Sequence, residues 1–158
     1  MGVEIERKFL VRSEAWRREV HGSDPMVQGY LAETGTCSIR IRLAGDNAWL
    51  NFKGLTIGAR RTEFEYAVPV GDARQMLDLY CGGRTIAKTR HHVRHGDHDW
   101  EIDEFEGANA GLIVAEIELA GVNEVFDRPD WLGREVTDDA RYYNIRLVED
   151  PWTEWDRE

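Results

Sequence analysis

The chain has 158 residues, 42% of them hydrophobic, which is one domain's length and enough apolar material for a packed core. A formal net charge of −10 excludes binding to nucleic-acid backbone or anionic membrane through overall charge, while leaving room for a locally basic pocket. Two cysteines, Cys37 and Cys81, with no CxxC pair and no zinc spacing, argue against a disulfide framework and for a reducing compartment. No apolar run reaches the ~18 residues of a membrane span, and the opening stretch is too charged for a signal peptide. Met1-Gly2 begins a myristoylation pattern that Glu6 does not continue. The expected location is the cytoplasm, with neither nucleic acid nor membrane as partner.

A strand is predicted over residues 1–12. Its alternation puts Glu4, Glu6 and Lys8 on one face and Val3, Ile5, Phe9 and Val11 on the other. Taken alone, such a polar face is compatible with simple solvation, as in many antiparallel sheets. Residues 13–20 read as a short helix capped by Ser13, broken at 22–25 by Gly22 and Pro25. A second strand follows over 26–32, with Gln28 and Tyr30 on one face. Glu33-Thr34-Gly35 turns the chain into a third strand, 38–43, where Ile39, Ile41 and Leu43 oppose Arg40 and Arg42. A hairpin turn at 44–47 leads to a fourth, 48–53, with Trp49, Asn51 and Lys53 opposite Leu50 and Phe52. After a glycine-containing connection, a fifth strand over 61–70 sets Glu63 and Glu65 against Phe64, Tyr66, Val68 and Val70.

A helix is predicted over 72–81. Asp72 and Gln75 approximate a capping box, Met76, Leu77, Leu79 and Tyr80 form the apolar side, and Gly82-Gly83 stops it. The sixth strand, 85–94, carries Lys88 and Arg90 on one face. The seventh, 99–106, sets Glu101 and Asp103 against Trp100 and Ile102. The eighth, 112–120, sets Glu116 and Glu118 against Ala115, Ile117 and Leu119. Short helices around 123–131 and 138–147 and a charged, tryptophan-bearing tail complete the chain. Eight strands mostly in hairpin order, with no internal repeat and no linker, predict one domain of α+β class dominated by β structure. The expected architecture is an eight-stranded antiparallel closed barrel with helices packed outside, rather than a βαβ layout. Eight strands is about the number at which a closed barrel holds side chains or one small ligand.

The polar face of the first strand recurs on most of the others. Lys8, Arg40, Arg42, Lys53, Lys88 and Arg90 form a basic set, and Glu4, Glu6, Glu63, Glu65, Glu101, Asp103, Glu116 and Glu118 an acidic one, all at period-two spacing. A solvated surface mixes charged and neutral polar residues without such order, so this face is assigned to the lumen and the apolar face to the outside. Arg7, one step out of phase, falls outside the site. A confined polyanion needs several cations, and arginine offers its oxygens a bidentate fork. Clustered carboxylates repel one another and raise their pKa values. A divalent Mg²⁺ or Mn²⁺ relieves that, being a hard cation that takes oxygen ligands. Cations for phosphates beside carboxylates for metal is a phosphoryl-transfer layout.

These residues, in this order, resemble the CYTH, or triphosphate tunnel metalloenzyme, family. Glu4-x-Glu6-x-Lys8 matches its N-terminal ExExK signature, and Arg40-x-Arg42, Lys53, Glu63-x-Glu65, Lys88-x-Arg90, Asp103 and Glu116-x-Glu118 match its later motifs. The resemblance implies an eight-stranded tunnel that binds triphosphates with divalent metal. Lys8, Arg40, Arg42, Lys53, Lys88 and Arg90 are then expected to grip the triphosphate. Glu4, Glu6, Asp103, Glu116 and Glu118 are expected to hold metal or orient the attacking water, with Glu65 joining Glu116, Glu118 and Asp103 as a candidate catalytic carboxylate. The stretch 136–144 resembles the short helix that plugs one tunnel mouth in small bacterial members. Those members often carry lysine where Tyr143 or Arg146 stands here. The implied activity is metal-dependent hydrolysis of a triphosphate, preferably inorganic tripolyphosphate. Alternatives are a class IV-type adenylate cyclase, a thiamine triphosphatase, and a non-catalytic polyphosphate or nucleotide binder. A homodimer is allowed if an outward apolar face is left uncovered.

Other features are weaker. Residues 82–89 hint at a P-loop but lack the glycine before Lys88 and a strand–loop–helix setting. His91, His92, His95 and His98 straddle a hairpin turn and read as solvated. Arg17-Arg18 and Arg60-Arg61 read as basic pairs on solvated faces.

Overall fold

The structure, a computed structural model, describes residues 2–156. Eight strands form the barrel: β1 (Gly2–Val11), β2 (Val20–Glu33), β3 (Cys37–Ala44), β4 (Asn47–Gly54), β5 (Arg60–Val68), β6 (Thr85–His95), β7 (His98–Phe105) and β8 (Ile113–Glu118). They pair in the order β5-β4-β3-β2-β6-β7-β8-β1, and β1 closes the ring by pairing with β5 from Gly2↔Glu63 to Ile5↔Arg60. Every pairing is antiparallel. A ninth strand, β9 (Leu132–Glu135), takes over where β5 leaves off and pairs with Phe9 and Val11 of β1. Met1, part of the expected first strand, lies outside the described residues.

Several local expectations are corrected. The helix over 13–20 is reduced to a 3-10 turn, Ala15–Glu19, with Ser13 Oγ accepting from Ala15 N at 3.3 Å. Gly22 and Pro25 do not break the chain but lie inside β2. Residues 20–25 pair with β6 only, and β3 joins at Met26, so Pro25 sits where one side of the strand has no neighbour. Helix α1 (Val70–Tyr80) starts earlier than expected. Asp72 makes no cap bond; the Pro69 carbonyl instead accepts from Ala73 N at 3.0 Å. No helix forms at 123–131; the chain there runs irregularly into β9. The stretch 138–147 divides into a 3-10 turn, Ala140–Tyr142, and helix α2 (Asn144–Glu149).

The outer faces of β1, β6, β7 and β8 bury Ile5, Phe9, Val93, Trp100, Ile102, Ala115 and Ile117 beneath Trp16 and Trp131. Helix α1 covers β2 to β4, setting Ala73, Met76 and Leu77 on Leu31, Ile41, Leu43 and Leu50. Gly29 permits this approach, since a β-carbon there would stand 2.5 Å from Cys81 Sγ. A third cluster lies inside the barrel. The lumenal positions turn apolar toward one end, where Leu10 follows Lys8, Ile86 precedes Lys88, Phe105 follows Asp103 and Val114 precedes Glu116. Tyr142, Ile145, Leu147 and Val136 pack onto that apolar layer, so α2 and the turn before it close this mouth. At the opposite end β5 runs past Gly2, leaving Phe64 and Tyr66 exposed.

Candidate active site

The barrel encloses a cavity of about 590 Å³. Strand order, not chain order, sorts its charges. The arc β4-β3-β2-β6 contributes Lys53, Arg40, Arg42, Lys88 and Arg90, and the arc β7-β8-β1 contributes Glu101, Glu116, Glu118, Glu6 and Glu4. Lys8 is the cation within the acidic arc, and Glu63 and Glu65 line the wall on β5. Of the expected site residues, all but Asp103 line the cavity.

On the basic side, each cation is aimed by a neighbour. Arg40 donates from Nε and Nη2 to Asn51 Oδ1 at 3.4 and 3.1 Å, and Asn51 in turn donates to Glu65 at 2.7 Å. Arg42 donates to Gln28 Oε1 at 3.0 and 2.9 Å. Gln28, itself 0% exposed, donates to Asn144 Oδ1 at 2.9 Å, which also accepts from Lys88 Nζ at 2.8 Å. The first residue of α2 therefore touches the lysine of β6 and, through Gln28, the arginine of β3. Lys53 pairs with Glu63 at 2.8 Å and Glu4 at 3.1 Å. Asp103 sits behind this wall, 0% exposed, accepting from Lys88 Nζ at 2.7 Å and from Arg90 Nε and Nη2 at 2.8 and 3.0 Å.

Three of these cations are short of negative charge, whereas Arg90, between Asp103 and Glu101, is held charged despite its burial. Burial, with Arg40 and Arg90 nearby, pushes Arg42 down to about 9. Burial pushes Lys88 down to about 7, because the Asp103 carboxylate that favours its charge is shared with Arg90. Lys53 is lowered by burial and by Arg40 and Arg61. Asp103 is held well below the usual carboxylate range, Arg90 and then Lys88 outweighing its burial.

The acidic side shows the opposite imbalance. Burial and then Glu4, Glu6, Glu101 and Glu63 raise Glu118, whose side chain makes no hydrogen bond or ion pair among the described residues. Glu101 is also raised, burial outweighing its 2.8 Å ion pair with Arg90. Lys8 Nζ bridges Glu6 and Glu116 at 2.8 and 2.7 Å; that pair outweighs burial and holds it charged. Among the described residues no three His, Cys, Asp or Glu side chains form a closed metal cage. The donor chemistry nonetheless fits a hard divalent ion. Oxygen-only donors converge from β1, β7 and β8, and two of them, Glu101 and Glu118, are destabilised as anions by burial and by neighbouring carboxylates.

Arg61 overturns an expectation. Read from the sequence as part of a solvated pair, it lines the cavity and donates to Glu4 at 3.1 Å. Its phase with Glu63 and Glu65 on one strand is the signal that places it. Gln28, Asn51 and Asn144 are likewise part of the site; the first two share lumenal faces with charged neighbours, whereas Asn144 carries no such mark. Arg7 lies outside the cavity, paired with Glu135 at 2.6 Å. The histidines do too: His91 contacts Ser23 and Glu104, His92 contacts Asp24, and His98 contacts Glu124. The P-loop-like stretch is the turn that follows α1 and the start of β6, with Gly82 and Gly83 at positive φ.

The CYTH domain family matches residues 2–146. The chain belongs to the CYTH family. Among CYTH relatives, an inorganic triphosphatase of Acetivibrio thermocellus is 43% identical over 152 residues, covering 96% of this chain and 97% of that protein. An inorganic triphosphatase of Nitrosomonas europaea is 35% identical over 149 residues, covering 92% and 96%. Among solved structures, that of the inorganic triphosphatase NE1496 superposes with a TM-score of 0.65 at 33% identity, covering 92% of this chain and 97% of that one. A Hippeastrum protein, described as a putative adenylyl cyclase with dominant triphosphatase activity, shares the CYTH fold at 15% identity, with a TM-score of 0.53 over 77% of this chain and 80% of that one. No helix among the described residues is long and apolar enough to cross a membrane.

Proposed function

We propose that this chain is a divalent-metal-dependent hydrolase of inorganic triphosphate, releasing phosphate and pyrophosphate. One observation carries the reading: two opposite charge imbalances face each other in one cavity. The basic arc depresses Arg42, Lys88 and Lys53, so it lacks an anion, while the acidic arc raises Glu118 and Glu101, so it lacks a cation. A triphosphate and a divalent ion relieve both together. The two curated relatives, both called inorganic triphosphatase and both matched over nearly their full length, support the choice of substrate.

Arg40, Arg42, Lys53, Lys88 and Arg90 bind the phosphoryl oxygens and neutralise charge that grows on them as the terminal P–O bond breaks. Lys8, seated between Glu6 and Glu116, holds these two carboxylates in place and reaches the same oxygens. Glu6, Glu116 and Glu118 would hold the metal, Mg²⁺ or Mn²⁺, which when bound supplies Lewis-acid charge next to the transferring phosphoryl group. Glu116 or Glu118 orients the attacking water and accepts its proton. Glu4 and Asp103 take a supporting role in this scheme: one Glu4 oxygen, Oε2, serves both Lys53 and Arg61, and both Asp103 oxygens serve Lys88 and Arg90. The apolar plug keeps bulk water from that mouth.

The test is a substrate panel: inorganic triphosphate, ATP and thiamine triphosphate, each with Mg²⁺ or Mn²⁺, scored for phosphate, pyrophosphate and cyclic AMP. Phosphate and pyrophosphate from inorganic triphosphate, with the highest kcat/KM of the three, is the expected result. Cyclic AMP with little phosphate would overturn it in favour of a cyclase, and tight binding without turnover would leave a binder.

A further inference from the structure

The scheme above gives Arg61 no role, yet its surroundings call for one. It stands on β5 directly across from Glu4 on β1 and lines the cavity at the end away from the plug, near Thr56 and Gly58. Its Nε donates to Glu4 Oε2, the only hydrogen bond its side chain makes among the described residues. Neither Nη group has a protein hydrogen-bond partner among the described residues. Arg90, in contrast, engages carboxylates through Nε and both Nη atoms, and Arg40 and Arg42 each use one Nη.

A mere counter-ion for Glu4 would have a different geometry. The same Glu4 oxygen already accepts from Lys53 Nζ at 3.1 Å. A guanidinium serving only that carboxylate would meet it fork to fork, with two parallel bonds. Held by Nε alone, Arg61 instead keeps its planar fork free, the shape that matches two oxygens of a phosphoryl group. At the unplugged mouth the Arg61 side chain is 25% exposed, so its free fork is within reach of an incoming anion, which would exchange water for charge-assisted bonds.

We propose that Arg61 is a further substrate-binding residue, gripping a phosphoryl group of the triphosphate at the unplugged mouth, with Glu4 as the residue that positions it. This rests on the triphosphatase reading of the cavity. It enlarges the basic set onto β5, so that cations meet the substrate from both ends of the cavity.

The experiment compares wild type, Arg61→Gln and Arg61→Lys in steady-state hydrolysis of inorganic triphosphate at saturating Mn²⁺, with Mn²⁺ affinity read separately by electron paramagnetic resonance. Loss of a charge-assisted bidentate contact made equally in ground and transition states raises KM about tenfold to a hundredfold and leaves kcat within about threefold. Arg61→Lys keeps the charge and the Glu4 pair but loses the fork, so its KM lies between the two. It also serves if Arg61→Gln folds poorly. Mn²⁺ affinity stays within about twofold of wild type. An unchanged KM in both variants overturns the assignment, and tighter Mn²⁺ binding with unchanged KM would show Arg61 to be only the counter-ion of Glu4. Failure of the wild type to hydrolyse inorganic triphosphate is a separate outcome: it overturns the reading of function, and the assignment with it.

Discussion

Asp103→Asn separates an anchoring carboxylate from a metal-holding one. The carboxylate is fully enclosed and accepts three charge-assisted bonds, from Lys88 Nζ at 2.7 Å and from Arg90 Nε and Nη2 at 2.8 and 3.0 Å. Asparagine keeps the shape and one acceptor, but it removes the charge and turns an NH₂ donor toward one of the cations. Removing one member of a buried ion pair costs about 3–5 kcal/mol, because the remaining charges stay desolvated. Against a total stability of about 5–15 kcal/mol this is severe yet survivable. For a domain of this length each kcal/mol moves Tm by about 2–4 °C, so a fall of roughly 6–20 °C is expected. Lys88 and Arg90 lose their common anchor, and KM for inorganic triphosphate rises with it. The linkage has a definite sign. Asp103 is depressed in the folded state, so its stabilisation is fully present above the ordinary aspartate value near 4 and is lost as pH falls through the much lower folded value. The Asp103 contribution to the Tm gap between wild type and Asp103→Asn is thus lost only in strong acid, and the gap should narrow as pH rises toward 7, because Lys88 without its carboxylate sheds its proton more readily than in wild type. The assays are calorimetric melts across pH and Mn²⁺ titration of the folded variant. An unchanged Tm together with lost Mn²⁺ affinity would refute this argument, because it would put Asp103 on the metal and not behind the cations.

Glu118→Gln should raise the Tm of metal-free protein by no more than about 1 °C, because the carboxylate it removes, though raised by burial and by Glu4 and Glu6, is exposed enough for solvent to screen the repulsion, while metal-dependent hydrolysis falls at least about a hundredfold. Since the Glu118 pKa is raised on folding, the wild type recovers this difference as pH falls through that raised value, so the gain should shrink below neutrality and reverse when saturating Mn²⁺ is added to wild type. Gln28→Leu strips Arg42 of its acceptor and Asn144 of one donor. It should raise KM about tenfold and lower stability by about 1–3 kcal/mol in urea melts. Gly29→Ala places a methyl 2.5 Å from Cys81 Sγ and 2.8 Å from Leu77 Cδ2, which should cost about 1–3 kcal/mol with kcat unchanged. Cys81→Ala in the same chain should recover part of that loss in a double-mutant melt.

The lumen is legible because it inverts the usual arrangement of a sheet, with polar side chains inside and apolar ones outside, beneath α1 and the segments that carry Trp16 and Trp131. Period-two alternation reports which residues share a face, so Lys8, Arg40, Arg42, Lys53, Lys88, Arg90 and the glutamates could be grouped from the chain alone. The same rule covers Arg61, whose phase with Glu63 on β5 outweighs its place in a basic pair with Arg60. Gln28 and Asn51 shared those faces but carry no charge to draw notice. Asn144 reaches the cavity only through the packing of α2 on an apolar layer, and β9 forms only because β1 outruns β5; both are tertiary effects with no local signature. What alternation could not supply is the order of strands around the ring. In a simple meander the acidic strand β5 would lie between the basic strands β4 and β6. The long-range pairing of β2 with β6, from Val20↔Val93 to Gly29↔Thr85, instead brings Lys88 and Arg90 round beside Arg40 and Arg42, and sends β5 to the seam with β1. That one non-local pairing gathers the cations on one wall and the carboxylates on the other, so the separation of charge on which the chemistry depends is a property of topology built from strands whose faces the sequence had already sorted.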